Sequence, residues 1–136
     1  MIATICRKAH FNAAHRLHLP DWTDEKNIAV FGKCNSPYYH GHNFDLEVRI
    51  RGAVDPETGF VMDLGQLGKW IKQEIEERFD HKNLNEDCPE FQDLQPSTEN
   101  FVHVIYNLLK PKLNQGQLLH ITLHETQKNS AEYGDW

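Results

Sequence analysis

No apolar run in the 136-residue chain approaches the length of a membrane span, and a helix needs about 20 such residues to cross a bilayer. A transmembrane segment is therefore not expected. A block of Lys and Arg is also missing: the net charge is −6, and neutralising phosphates takes clustered cations, so nucleic acid is not the expected main partner. There is no glycine-rich phosphate loop. Trp22, Trp70 and Trp136 do not interleave with cations as a base-stacking platform would. No internal repeat of solenoid period is present either. Cysteine is scarce: Cys6, Cys34 and Cys88 are odd in number and far apart, and the N-terminal MIATICRKAH has no apolar core of a signal peptide. A reducing cytoplasm with at least one free thiol is the expectation, rather than export with a disulfide framework.

What is present suits one globular domain over residues 1–136, long enough to bury a core. From Ile2 to Leu17 the residues suit an extended strand, with Ile5, Ala9, Phe11, Ala13 and His15 on one face. HLPDWTDEKNIAVFGKCNSPYY then breaks every period and reads as a long loop. The clearest pattern follows, where His42, Phe44, Leu46, Val48 and Ile50 alternate with polar residues as in a half-buried strand, and His40 shares their parity. Past the turn at DPETG, Asp63 is a candidate N-cap for a helix with Leu64, Leu67, Ile71, Ile75 and Phe79 at helical spacing. A second helix is expected from Ser97 or Thr98, limited by Pro111. Leu119, Ile121, Leu123 and Glu125 then share one face of a strand, and Ser130 to Trp136 suits an edge strand. The expected order is ββααββ.

The reactive residue types gather in CNSPYYHGHN, from Cys34 to Asn43. On a strand, His40 and His42 project the same way, which suits two ligands on one metal ion, and His15 could supply a third. Three imidazoles would leave one tetrahedral position of Zn²⁺ open, as a catalytic ion requires. With nine histidines in the chain, a His-x-His pair alone is a weak signal, and Cys34 beside it adds weight. Cys34 lies in a polar loop after Gly32-Lys33, where a cation could lower its pKa; it reads as a base or nucleophile, with metal ligation an alternative. Asp80-His81 alone carries little information. Glu125 ends an apolar row, so it must reach solvent or find a partner, and a guanidine-like ligand edge with two N–H donors would match its two oxygens. His10, His18, His103, His120 and His124 show no comparable grouping and are assigned to surface or satisfied packing.

FNAAHRL, FGKCNSPYYHGHN, FDHKNLN, PSTENF and LHET, in this order, resemble the 6-pyruvoyltetrahydropterin synthase family over almost the whole chain. The interval between Cys34 and HGH is similar to the pyruvoyl branch, since the related 6-carboxytetrahydropterin synthases of queuosine biosynthesis usually have a shorter one. The resemblance implies an α+β tunnelling fold, a four-stranded antiparallel sheet with two helices on one face. It further implies subunits joined through their sheets into a trimeric barrel, and two trimers stacked as a homohexamer. His15, His40 and His42 then match Zn²⁺ ligands, Cys34 the catalytic thiol, Asp80 and His81 its acid/base partners, and Glu125 the pterin anchor. Thr98 and Glu99 match a motif near the pterin pocket, contributed from the same or a neighbouring subunit. The implied reaction converts 7,8-dihydroneopterin triphosphate to 6-pyruvoyltetrahydropterin with loss of triphosphate. A 6-carboxytetrahydropterin product is the first alternative; a non-catalytic zinc or pterin-binding module and a hydrolase unrelated to pterins are the others. Tyr38-Tyr39, where relatives commonly carry small residues such as Gly, and the tail AEYGDW depart from the pattern and bear on product identity. Arg16, Lys26, Lys33 and Lys128 are candidates to meet the triphosphate.

Overall fold

In the computed structural model, which describes residues 1–136, two long strands form the backbone of the fold: β1 (Ile2–His15) and β2 (His40–Ala53). They pair antiparallel over their full length, from Ile2 opposite Ala53 to His15 opposite His40. β4 (Leu118–His124) pairs with β2, and β5 (Ser130–Gly134) with β4, both antiparallel. The two-residue β3 (Lys82–Asn83) pairs parallel with β1 at Ala13 and Ala14, giving the order β3-β1-β2-β4-β5. The sheet is thus five-stranded and mixed rather than four-stranded and antiparallel. A two-residue strand has no room for alternation, so the sequence carries no sign of it.

One face of the sheet is apolar because every second residue of β2 and β4 is: Phe44, Leu46, Val48, Ile50, Leu119, Ile121 and Leu123 are buried. Two helical segments cover it. The first runs from α2 (Leu64–Ile71) through a π turn (Lys72–Glu76) into α3 (Glu77–Phe79). Asp63 caps it, accepting from the Gly65 amide at 2.8 Å. Its buried residues Leu67, Ile71, Ile75 and Phe79 fall every fourth position, and on a 3.6-residue turn that spacing drifts about 40° per step. The wider π turn winds less per residue and brings Ile75 and Phe79 back over the sheet. The second, α5 (Thr98–Leu109), starts at Ser97, whose hydroxyl accepts from the Asn100 amide at 3.2 Å, and buries Phe101, Val102, Ile105 and Leu109. Pro111 lies in the 3-10 turn that follows. Each of these fully buried side chains is worth roughly 1.5–3 kcal/mol of burial. Phe101 is central, edge-on to Phe11, Phe44, Phe79 and Phe91.

The stretch expected to be a structureless loop contains α1 (Asp24–Phe31) and a 3-10 turn (Gly32–Asn35). Polar anchoring builds it. Thr23 caps α1, and Asn27, its one buried residue, accepts from the Leu19 amide and donates to the Leu19 carbonyl, both at 2.9 Å. Ile28 and Val30 stay exposed, so no apolar period marks the helix. After β3, α4 (Leu84–Asp87) is capped by Asn83. Tyr39, immediately before His40, has φ 66°, the left-handed region that suits glycine. That is a physical reason for the small residue the family resemblance leads one to expect there. Here the Tyr39 hydroxyl donates to the Glu86 carboxylate of α4, tying the loop down.

Candidate active site

The β1–β2 register builds a cage of imidazoles. His15 lies opposite His40, and His42 lies opposite Ala13, so all three rings stand at one end of the apolar face. One ligand nitrogen from each lies within 4.8 Å of the others. Nδ1 of His15 is 2.6 Å from the Pro96 carbonyl and so donates to it, which frees Nε2 as a lone-pair donor. That Nε2 is 3.0 Å from Nε2 of His40. Nε2 of His42 is buried with no hydrogen-bond partner, as is Nδ1 of His40. An orphaned buried nitrogen beside two converging ones fits a cation better than it fits a satisfied core histidine. Burial is the largest influence on all three rings and lowers their pKa. They are therefore neutral at pH 7, the state in which imidazole binds metal.

Glu125, one residue beyond β4, carries the apolar row to the cage. Its Oε1 is 3.7 Å from Nε2 of His42 and its Oε2 is 4.0 Å from Nε2 of His15. Thr98, the first residue of α5, donates its hydroxyl to Oε2 at 2.5 Å. Escape to solvent, the ordinary fate of such a carboxylate, is not what happens: its side chain is 18% exposed.

Cys34 sits in the 3-10 turn and lines a cavity of about 460 Å³ with His15, Thr98, Glu99, Glu125 and the Lys128–Ala131 stretch. Burial, and then the Glu125 carboxylate, raise the thiol pKa. The expectation that a neighbouring cation lowers it is therefore corrected: Lys33 precedes Cys34 in the chain but lines a different cavity. All three cysteines are unpaired thiols.

Asp80 and His81 stand apart from that cavity. They follow α3 at a corner where His81 has φ 60°, and His81 lines a separate cavity of about 560 Å³ with Asn12, Gly41, His42 and Lys82. Asp80 Oδ1 accepts from the Asn12 amide at 2.9 Å and lies 3.0 Å from Nδ1 of His81. The Asn12 amide is the largest influence on Asp80 and holds its carboxyl below the usual range; His81 adds to it. His81 itself is 78% exposed. Sequence reasoning missed the backbone partners here, the Pro96 carbonyl and the Asn12 amide, because main-chain groups leave no trace in residue type. His10, His18, His120 and His124 are partnered by Asp45, Asn35, Glu132 and Glu47 respectively, and His103 packs edge-on to Tyr133. They join no cage.

The fold and the cage define a small α+β protein whose sheet can hold a metal ion next to a thiol-bearing pocket. The model of the family 6-pyruvoyl tetrahydropterin synthase matches residues 4–135. The chain belongs to that family, and with it to pterin biosynthesis. It is 45% identical over 132 residues to a 6-pyruvoyl tetrahydrobiopterin synthase of Poecilia reticulata, covering 97% of this chain and 90% of that one. To the Homo sapiens protein of the same name it is 40% identical over 131 residues, covering 96% and 90%. The solved structure of Caenorhabditis elegans 6-pyruvoyl tetrahydropterin synthase superposes with a TM-score of 0.92 at 36% identity, covering 100% of this chain and 97% of that one. No helix is long and apolar enough to cross a membrane.

Proposed function

We propose that the chain, as one domain, converts 7,8-dihydroneopterin triphosphate to 6-pyruvoyltetrahydropterin with loss of triphosphate, using zinc. The observation that supports this best is that one cavity is lined by a cage histidine, by Cys34 and by Glu125. The names of the relatives favour the pyruvoyl product over the 6-carboxy one. The cage of three neutral imidazoles suits Zn²⁺. Bound by His15, His40 and His42, the ion would supply Lewis acidity to the substrate's side-chain hydroxyls and a positive field against the two causes that raise the Cys34 pKa.

Glu125 accepts two N–H donors from the pterin edge, with Thr98 fixing its carboxylate and Glu99 bordering the ring. That pairing also compensates the negative charge facing Cys34. Cys34 takes a proton from a side-chain carbon. The hydrogens leaving the side chain reappear on the ring, so the conversion needs no external oxidant. His81 donates or relays a proton, and Asp80, 3.0 Å from its Nδ1, orients the ring. Thr98 and Glu99 line Cys34's own cavity whereas His81 lines another; in the proposed homohexamer Asp80–His81 would serve the site of a neighbouring copy.

The test is anaerobic incubation of zinc-loaded protein with 7,8-dihydroneopterin triphosphate and Mg²⁺, followed by mass spectrometry of the pterin. A pyruvoyl product is expected. A 6-carboxy product with acetaldehyde would overturn the reading, and so would side-chain cleavage of the kind named for a Pyrococcus furiosus dihydroneopterin monophosphate aldolase, 31% identical over 113 residues.

A further inference from the structure

Arg16 follows His15 in the chain and is held unusually firmly for a surface arginine. Its amide donates to Oδ1 of Asn85 at 2.8 Å, and its carbonyl accepts from Nδ2 of the same residue at 2.9 Å. Its Nε donates to the Asn35 carbonyl at 2.9 Å. Asn35 is itself buried and donates to the Leu17 carbonyl at 2.8 Å. The guanidinium is thus fixed through Nε while its terminal nitrogens bond to nothing in the protein. Two other arginines find carboxylates, Arg49 pairing with Glu47 and Arg78 with Glu74 and Glu90, while Arg51 donates to Thr4 and lies over the Trp136 ring. Arg16 has no such partner, and neither does Lys33, which shares with it a cavity of about 410 Å³. A fixed, planar fork with free donors is prepared for an anion, because the rotamer entropy is already spent.

The position of this cavity relative to Cys34 makes it informative. Lys33-Cys34-Asn35 is a shared wall: Cys34 lines the cavity that holds Glu125, whereas Lys33 and Asn35 line the other. Of the remaining cations, Lys26 lies 4.0 Å over the Trp22 ring, and Lys128 shares its cavity with two carboxylates, Glu99 and Glu125. The Arg16–Lys33 cavity contains one carboxylate, Asp24. The geometry points to Arg16 and Lys33 as the subsite for the phosphate chain of the substrate, an assignment that rests on the pterin triphosphate reading above. A molecule spanning both cavities places its ring at Glu125, its reacting side chain at Cys34 and its phosphates at Arg16.

Inorganic tripolyphosphate tests this on metal-loaded protein by calorimetry, with phosphate-free neopterin as the control ligand. Arg16→Gln should weaken tripolyphosphate binding about tenfold or more and Lys33→Gln several-fold. Arg16→Lys should recover only part of the loss, since it restores charge without the fork. Neopterin affinity and metal content should stay unchanged, while KM for the triphosphate substrate rises. Equal tripolyphosphate binding in the wild type and both Gln variants would overturn the subsite. If Arg16→Gln loses its metal or its thermal transition, the exposed Lys33 variant decides alone. Failure of the wild type to bind neopterin, with tripolyphosphate still lost in the variants, would sink the pterin reading and leave the anion subsite standing.

Discussion

The histidine cage and the Asp80–His81 corner flank the same end of β1, yet they are built in opposite ways. The cage grows from paired strands: its rings are fixed by register, by the Pro96 carbonyl and by Phe44, which packs edge-on to His42 at 5.8 Å between centroids. The corner is a left-handed break after a helix, its imidazole 78% exposed and its carboxylate held by one amide of β1. Holding a metal is a task that one copy of the chain can complete. Bringing His81 to Cys34 is not, under the proposed mechanism, because within one copy the two line different cavities.

Breaking the cage should have the largest effect. His42→Ala removes one of three donors, and bound zinc, measured by mass spectrometry, should fall from about one equivalent to near zero with turnover lost alongside. The next largest effect separates chemistry from metal binding: Cys34→Ala should lower kcat by roughly 10²–10⁴-fold while zinc content stays at the wild-type level. Unchanged kcat would remove Cys34 from the mechanism. The same variant sharpens the contrast between cage and corner. Cys34→Ala and His81→Ala should each be nearly inactive alone, but co-assembly should restore part of the turnover, because a mixed oligomer can pair an intact thiol with an intact imidazole. Recovery that never exceeds the sum of the separate variants would put both groups in one copy's site.

How much of this was legible in sequence follows the same division. β2 was readable because its face is buried without interruption from Phe44 to Ile50; the same alternation carried His40 and His42 into the cage and linked Glu125 to the row of β4. The spacing of α2 and α3 was readable for the same reason, although the π turn was not, since only the fourfold repeat hints at it. α1 was missed because Asn27 holds it by hydrogen bonds to Leu19 rather than by an apolar stripe. The acid/base role expected of Asp80 and His81 rests on family resemblance alone: an Asp beside a His in a turn has no periodicity to betray it. The direction of the Cys34 pKa was misread because adjacency in sequence to Lys33 is not adjacency in space.

A smaller effect tests the far wall of the cage. Thr98→Val removes the hydroxyl that donates to Glu125 at 2.5 Å and leaves the shape nearly unchanged. A hydrogen bond to a charged group is worth about 1.5–3 kcal/mol, and Glu125 can regain part of that from water, so KM should rise about fivefold to tenfold with kcat little changed. Neopterin affinity should fall in parallel. If kcat drops instead, Glu125 acts on the reacting centre rather than on the ring.

The smallest effect reaches the Cys34 cavity through β5, leaving the corner untouched. Ser130 and Ala131 of β5 line that cavity, and the strand is clamped just beyond its end by Asp135. This carboxylate accepts from the Tyr106 hydroxyl at 2.5 Å, from Lys110 at 2.6 Å and from the Leu119 amide at 2.7 Å. Burial alone would raise the Asp135 pKa, but these donors outweigh it and hold it low. The bond to Asp135 pushes Tyr106 up to about 12. Asp135 therefore contributes stability above the ordinary carboxylate range, lost as pH falls through its lowered value. Tyr106 contributes stability below its unfolded value near 10, lost as pH rises toward about 12. Tyr106→Phe should cost about 1 kcal/mol in denaturant unfolding at pH 7. The gap from wild type should narrow above about pH 10, where the wild-type hydroxyl begins to lose its advantage. At neutral pH the variant should raise KM slightly without altering zinc content or the mixed-oligomer recovery, since β5 borders the cavity of Cys34 and not that of His81. A change in either of those two readouts would show that the wall and the corner are mechanically one unit.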